Sequence, residues 1–361
     1  MRKESEHEKV LTLIVPSYNM ENYLARCCES VIVEDKLMKL FEVIIVNDGS
    51  TDRTSVIAND FVRKYPRTFR VINKENGHYG SCINAALKIV KGCYVKLLDA
   101  DDTYDTYAFR KYLLFLSSLV GESSPDLVLT DAIRVDERGQ CVQRHICHLP
   151  ENECLHFADL PERILGNIWA TWITYKTNML SSIDYHQTEG IPYTDVQWSS
   201  LPMANVQTVV YFPVVLYRYL VGREGQSING EALIAGIYKA SAIMAFDSLL
   251  MYRKLCAIDA PLNSAFVRSK IISMYGAAYS WAILKVHTNE SDAFMKQVDL
   301  KLKNVSPEIY SSVCIALKTV RNKFAYLQYW RRDYNSNSPM IKFVRFLKGV
   351  VEYAKSRQEG V

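Results

Sequence analysis

The chain has no apolar run of the roughly 18–20 residues that a bilayer-spanning helix needs. Its first ten residues, MRKESEHEKV, are polar and lead straight into a strand-like segment. With no apolar core behind a basic start, no secretory leader is expected. Strong charge is missing too. Lys and Arg number 43 against 39 Asp and Glu, a net charge of +4, which gives no argument for a nucleic acid partner. Internal repeats and low-complexity stretches are absent. Cysteine does not come in pairs: there are nine, and without a leader they read as free thiols in a reducing, cytoplasmic setting. The segment CVQRHICHLPENECLH (141–156) gathers three Cys and three His, but at no regular zinc spacing. Any membrane contact must be peripheral.

What remains is a globular composition, 49% hydrophobic and 23% charged over 361 residues, enough for one large domain or two ordinary ones. Residues 10–131 alternate between two kinds of segment. VLTLIVPSYN, FEVIIVNDGSTD, FRVINKENG, YVKLLDADD and DLVLTD are near-continuous apolar, β-branched runs that end in polar residues. Between them lie amphipathic stretches at 21–33, 53–64, about 80–90 and 105–119, with Thr51 or Asp52 to cap the second. This pattern predicts βαβ units and a largely parallel sheet covered by helices on both faces. RVDERGQ reads as a hairpin turn and WATWITY (169–175) as strand-like. IPYTDVQWSSLPM brings Asp195 to a helix start. TVVYFPVVLYRYLVGREGQSIN reads as two β segments and a basic, Gly-rich loop. From about 231 onward the pattern is helical. The expected domains are therefore 1–230, carrying the sheet, and a helical 231–361.

In such sheets ligands sit beyond the carboxyl ends of the strands. The chemistry-bearing residues fall there: Pro16 to Asn19, Asp48, Lys74 to Gly77, Asp99 to Asp102, Asp131. VKLLDADDTYD crowds Asp99, Asp101 and Asp102 into four positions after an apolar run. Like charges so close raise one another's pKa unless a cation, a basic side chain or water compensates. One explanation is a phosphatase of the haloacid dehalogenase type, whose strand-Asp-x-Asp-x-Thr signature is matched by Asp99, Asp101 and Thr103. Against it, that signature opens its domain, whereas here three strand–helix units come first.

IVPSYN, VIIVNDGSTD, NKENGHYGSCINAAL, LLDADD, YTDVQW and YRYLVGREGQSIN, in this order, resemble the inverting glycosyltransferases of family 2, over roughly residues 10–230. The resemblance implies a GT-A fold, a Rossmann-like, mostly parallel α/β sheet flanked by helices, with the C-terminal helical domain added. It implies transfer of one hexose-type sugar from a nucleotide-diphosphate donor, a UDP-sugar by expectation, to a glycan or lipid-linked hydroxyl. A divalent cation, Mn²⁺ or Mg²⁺, suits the departing diphosphate. Asp101 resembles the metal-binding member, Asp99 the member shared by metal and ribose, with Ala100 between them at the donor; Asp102 is a candidate cap for the next helix. Asp48 resembles the nucleobase reader. Pro16, Ser17, Tyr18 and Asn19 resemble the first loop around the base; Lys74, Gly77 and His78 the third. Arg218 and Arg223 resemble the late loop over the diphosphate. Asp195 resembles the general base, which its helix N-terminus would keep ionised. The Gln-x-x-Arg-Trp motif of polymerising relatives is incomplete, since Gln197 and Trp198 stand without its arginine, so addition of a single sugar is expected. The Cys/His segment reads as a polar insertion on the acceptor side. A nucleotide-sugar-binding protein without turnover stays open as an alternative.

The end of the chain is basic, nine Lys or Arg against three Asp or Glu in 320–361. Met340, Phe343, Val344, Leu347, Val350, Val351 and Ala354 fall on one helical face and Lys342, Arg345, Lys348 and Lys355 on the other. Such a helix suits either packing on the protein or peripheral contact with the anionic inner face of the cell membrane.

Overall fold

The computed structural model describes residues 9–359 apart from 122, 167, 224–230, 256–260 and 318–325, with side chains omitted for 231–235, 261–262 and 350–359. The expected loop GREGQSIN and the expected boundary near 230 thus fall largely outside the described residues. The chain divides into two compact units, one of residues 1–226 with 255–264, the other of residues 227–254 with 265–361.

The first unit is built on one ten-stranded sheet. In chain order the strands are β1 Lys9–Ser17, β2 Phe41–Asp48, β3 Phe69–Lys74, β4 Gly92–Leu97, β5 Thr103–Tyr104, β6 Leu127–Val135, β7 Cys141–His145, β8 Cys154–His156, β9 Ile173–Lys176 and β10 Thr208–Leu220. The spatial order is β3-β2-β1-β4-β9-β6-β10-β5, with β7 on β6 and β8 on β10. β1 lies parallel to β2 and β4, and β2 to β3. β6 and β10 are also parallel, whereas β9, inserted between β4 and β6, runs against both. The central strands are apolar on both faces because helices cover both: every residue of β2 is buried, and so are Leu11, Leu13, Ile14 and Val15 of β1.

Local chemistry explains most element ends. The helix Thr106–Leu119 starts at Asp105, whose carboxylate accepts the Ala108 N–H at 2.9 Å. Asp102, a candidate for that cap, does not serve it. The helix Thr54–Lys64 is preceded by Asp52, which accepts the Thr54 N–H. The helix His78–Leu87 begins two residues before Gly80. RVDERGQ forms the β6–β7 hairpin turn, with Gly139 at φ +77°. The two β segments expected in 208–220 are a single 13-residue strand whose register shifts around Pro213. Proline cannot donate to the ladder, and such irregularities are where it is tolerated.

The second unit is helical, with long helices Glu231–Leu255, Pro261–Ser280, Asn289–Val305 and Pro339–Glu359 and shorter ones at Pro307–Ala316 and Tyr326–Asp333. Two buried carboxylates on the helix Asn289–Val305 hold the helix Tyr326–Asp333. Asp292 accepts the Trp330 indole N–H at 2.8 Å. Asp299 accepts the Arg331 Nε–H at 2.9 Å and the Tyr279 hydroxyl. The Arg331 guanidinium also lies 3.5 Å from the centre of the Tyr310 ring. A buried ion pair of this kind stays favourable only because further groups complete its hydrogen bonding. In the helix Pro339–Glu359 the expected single apolar face is split. Ile341 and Val344 are buried, whereas Met340, Phe343 and Phe346 are 39, 54 and 67% exposed. Val350, Val351 and Ala354 have side chains outside the described set.

Candidate active site

Parallel strands point their carboxyl ends at one edge, and there the sheet presents its polar residues. The β2 end carries Asp48, only 3% exposed. Its Oδ1 accepts the Lys74 ammonium at 2.7 Å and the Gly77 N–H at 3.0 Å. Lys74 also donates to Ser81 Oγ at 2.8 Å, so it ties the ends of β2 and β3 to the start of the helix His78–Leu87. A Cβ on Gly77 would lie 2.7 Å from Ser81 Oγ and 3.0 Å from the Lys74 Nζ; the glycine is required by this crowding. Gly49 follows Asp48 at φ +74°, where a Cβ would also meet the Asn76 nitrogen at 2.9 Å. The left-handed turn and the close approach both demand glycine.

On the β1 loop Pro16 is half-buried and Ser17 buried, while Tyr18 is 47% exposed. Asn19 has φ +53°. Its side-chain oxygen accepts the Thr51 N–H at 2.9 Å and its own N–H donates to Ser50 Oγ at 3.0 Å. Asn19 therefore braces the first loop against the second. His78 is exposed and left-handed, φ +64°.

The three aspartates after β4 point in different directions. Asp99 Oδ1 accepts the Tyr79 hydroxyl at 2.8 Å. Asp101 Oδ2 accepts Arg223 Nε–H at 2.6 Å, and Arg26 donates to the Asp101 carbonyl. Asp102 is fully enclosed and turns into the sheet, accepting the Tyr217 hydroxyl at 2.8 Å and the Leu220 N–H at 2.7 Å. Tyr217 in turn takes the Asp99 N–H. Asp102 is thus a structural bracket between the aspartate loop and β10. Buried Ala100 sits between the two half-buried carboxylates.

Burial, joined by the charges of Asp101 and Asp195, pushes the Asp99 carboxyl up to about 7, against the opposing pull of Tyr79 and Arg223. Burial likewise raises the Tyr79 phenol well above its usual value, with Asp99 and Asp195 adding to it. Asp195, the first residue of the helix Asp195–Trp198, is therefore electrostatically within reach of both. Asp195 is exposed at the surface, and protein packed near it thins the surrounding water. Loss of bulk water raises its pKa, outweighing the backbone N–H groups at the helix start. The backbone N–H groups at the helix start pull the other way, toward the ionised form.

Arg218 differs from expectation. It lies within β10, opposite Thr103 of β5 rather than in a loop. Neighbouring strand residues face opposite ways: Tyr217 turns to the aspartates, and Arg218 turns to the hairpin, donating to the Gly139 carbonyl at 3.1 Å. Among the expected arginines, Arg223 is the one paired with the cluster.

The sequence reading missed how Asp195 is positioned. Asn84, on the helix His78–Leu87, pairs with the backbone of Gln187 through both ends of its amide, 2.9 and 2.8 Å. Gln197 accepts the Thr188 backbone N–H at 2.8 Å and donates to the Thr188 hydroxyl at 2.9 Å, and the Thr194 hydroxyl donates to the Gln187 side chain. Gly80 faces this segment with no room for a methyl group, because a Cβ would collide with the Thr188 carbonyl oxygen.

The donor set suits a divalent cation. Asp99 and Asp101 offer two carboxylates from one loop, and the charge of Asp101 helps burial to raise the Asp99 pKa even with Arg223 nearby. Among the described residues no group of three or more His, Cys, Asp and Glu side chains could hold a metal by itself. Two carboxylates that leave the remaining positions to water and phosphate match the way Mg²⁺ is bound.

The curled, mostly parallel sheet with flanking helices is the glycosyltransferase A architecture. Over 94% of this chain it superimposes on 92% of residues 1–349 of Staphylococcus aureus TarS, with a TM-score of 0.65 at 20% identity. Residues 12–119 match the family model described as "Glycosyl transferase family 2". Among curated relatives, the minor teichoic acid biosynthesis protein GgaB of Bacillus subtilis is 35% identical over 104 residues, 29% of this chain and 12% of its own length. Chondroitin synthase of Pasteurella multocida is 39% identical over 93 residues, 26% of this chain and 9% of its own. The chain thus spans about an eighth or less of those two relatives. The family match displaces the phosphatase reading of Asp99 and Asp101.

Gly80→Ala is expected to destabilise the protein by roughly 1–3 kcal/mol, the usual cost of overpacking, and to shift the segment bearing Asp195. Chemical denaturation combined with amide exchange at 187–197 checks this. Unchanged exchange there would show that the close approach does not hold the segment.

Proposed function

We propose that this chain is a metal-dependent, inverting glycosyltransferase that adds one sugar from a UDP-linked donor to a glycan or lipid-linked hydroxyl. The observation that carries the reading is the convergence of Asp99, Asp101 and Asp195 at the carboxyl edge of a family 2 domain. Inverting transfer needs one base and no covalent nucleophile. Asp195 takes the proton from the acceptor hydroxyl as its oxygen attacks the anomeric carbon, and the nucleoside diphosphate leaves from the opposite face. An α-linked donor then gives a β-linked product. A raised pKa suits Asp195 to this work, since a base nearer neutrality is a stronger proton acceptor.

Asp48, oriented by Lys74 and the Gly77 N–H, accepts the imide N–H of uracil. Pro16, Ser17, Tyr18 and Asn19 line the base on one side, Gly77 and His78 on the other. Asp99 and Asp101 are the residues that would hold a divalent cation, which supplies positive charge to the departing diphosphate. Arg223, joined to Asp101 by a charge-assisted bond, lies where its guanidinium can meet phosphate oxygens. The uridine assignment draws support from TarS, whose structure of similar fold was solved with UDP-GlcNAc. A role in surface-polymer synthesis draws support from GgaB, named for minor teichoic acid biosynthesis.

The exposed Met340, Phe343 and Phe346, interleaved with Lys342, Arg345 and Lys348, support peripheral contact with an anionic membrane at the cytoplasmic face. No helix of the described residues is long and apolar enough to cross a membrane.

Thermal stability in a screen of nucleotide sugars tests the donor site, because a ligand bound to the folded state alone raises the midpoint. UDP-GlcNAc or another UDP-sugar is expected to give the largest shift, to need Mn²⁺ or Mg²⁺ for it, and to lose it in Asp101→Ala. An equal shift without metal contradicts the metal assignment. Asp195→Asn is expected to lower kcat by about 10²–10⁴-fold, the usual worth of a general base, with donor binding kept. Because the base works deprotonated and its pKa is raised, wild-type kcat is expected to fall with decreasing pH, with a midpoint above the ordinary carboxylate value. Donor turnover unaffected by Asp195→Asn leaves the base elsewhere. On vesicles containing phosphatidylglycerol, the full chain is expected to float, and Phe343→Ser/Phe346→Ser to remain at the bottom of the gradient. Equal flotation of both removes the membrane contact.

A further inference from the structure

The turn that precedes β9 carries two tryptophans with opposite fates. Trp172 is buried, 3% exposed, while Trp169 stands 43% in solvent. Single exposed aromatics are common on protein surfaces, so exposure alone says little. The placement of Trp169 says more. It immediately precedes the 3₁₀ turn Ala170–Trp172, and that turn packs against both β6 and the helix Asp195–Trp198. The turn is anchored from the other side by Lys96, a wholly buried lysine of β4. Its ammonium donates to the carbonyls of Thr171 and Ile173 at 2.9 and 3.2 Å. Lys96 lies three residues before Asp99. The turn beside Trp169 is thus tied both to the strand that delivers the aspartates and to the helix that begins with Asp195.

A second ring completes the arrangement. His145, the last residue of β7, pairs with Ala132 in the carboxyl half of β6, three residues before that strand's end. Its imidazole packs on the Trp169 indole with ring centres 4.3 Å apart and planes inclined by 44°. The hairpin that opens the Cys/His segment 141–156 therefore has a physical task, which is to prop an indole at the ligand edge of the sheet.

We propose that Trp169, backed by His145, is the platform on which a sugar ring of the acceptor lies while its hydroxyl is presented to Asp195. The inference rests on the glycosyltransferase reading above and adds to it the class of acceptor. A pyranose has an apolar C–H face that matches a flat aromatic surface, and an indole held by a neighbouring ring loses little freedom on binding. A linear polyol phosphate has no such face. The acceptor end is therefore a cyclic sugar.

Saturation-transfer NMR on the full chain with UDP and Mn²⁺ tests this, with maltotriose, N,N′-diacetylchitobiose and a glycerol phosphate oligomer as probes. One of the two saccharides is expected to receive saturation through its ring C–H protons. Trp169→Ala is expected to weaken its apparent affinity roughly tenfold, the loss of about one aromatic contact, and Trp169→Phe to keep most of it. The UDP-induced thermal shift is expected to be the same in all three proteins. Equal saccharide binding by Trp169→Ala, binding of the glycerol phosphate oligomer alone, or binding of no probe overturns the platform. So does loss of the UDP shift in Trp169→Ala, which would make the indole a structural element of the whole site. Absence of any UDP shift in the wild type is a different result, because it removes the glycosyltransferase reading and the platform with it.

Discussion

Three carboxylates within four residues repel one another, and this fold manages the repulsion by pointing them apart. Asp102 is withdrawn into the sheet, where it accepts a phenol O–H and a backbone N–H, while burial and its two neighbours raise its pKa well above the carboxylate norm. Asp101 is turned toward Arg223. Asp99 is left with a phenol as its hydrogen-bond donor and with negative neighbours on two sides. The arrangement concentrates unmet demand for positive charge at one point of the edge. Asp102 stabilises the loop that creates this demand, because its bonds to Tyr217 and Leu220 fix the loop to β10. The same strand that clamps Asp102 thereby determines where Asp99 and Asp101 point.

Much of this was legible in the sequence because it is carried by short-range patterns. Buried parallel strands announce themselves as β-rich apolar runs, and the residues at their ends are polar because the chain there meets solvent and ligand. Asp48, Lys74, Gly77, Asp99 and Asp101 were found by this logic and lie at the ends of β2, β3 and β4, whereas Asp195 was read from its helix start and from the resemblance. Strand β9 was harder. Its apolar run gave no direction, and only the pairing with β4 and β6 reveals that it runs against them. The resemblance put Arg218 in the late loop; the strand instead continues past Pro213 with a shifted register, and strand alternation sends Arg218 to the hairpin.

Direction also separates Asp102 from its neighbours. Periodicity after the end of a strand carries no information about which of three adjacent aspartates faces in, since the loop obeys neither the strand nor the helix repeat. The partners that decide it, Tyr217 and Leu220, lie more than a hundred residues away, with nothing in the local sequence to indicate them. For the same reason the N-cap fell to Asp105: an N-cap accepts an N–H two or three positions on, and Asp105 has the Ala108 N–H at that distance.

The segment 187–197 shows what a sequence pattern cannot convey. It has almost no regular structure ahead of a four-residue helix, yet it must hold Asp195 against the pull of solvent. The fold replaces backbone ladders with side-chain amides that mimic them. Asn84 pairs with the Gln187 backbone as a neighbouring strand would, and Gln197 holds Thr188 by its backbone N–H and its hydroxyl. Those bonds require the helix His78–Leu87 to come close, and Gly80 is the residue that permits it. The glycine thus acts on the candidate base from a distance of over a hundred residues in sequence, through contact rather than charge. Since that helix begins at the Gly77–His78 turn beside Asp48, nucleobase reader and base share one rigid support, and a shift of the helix moves both.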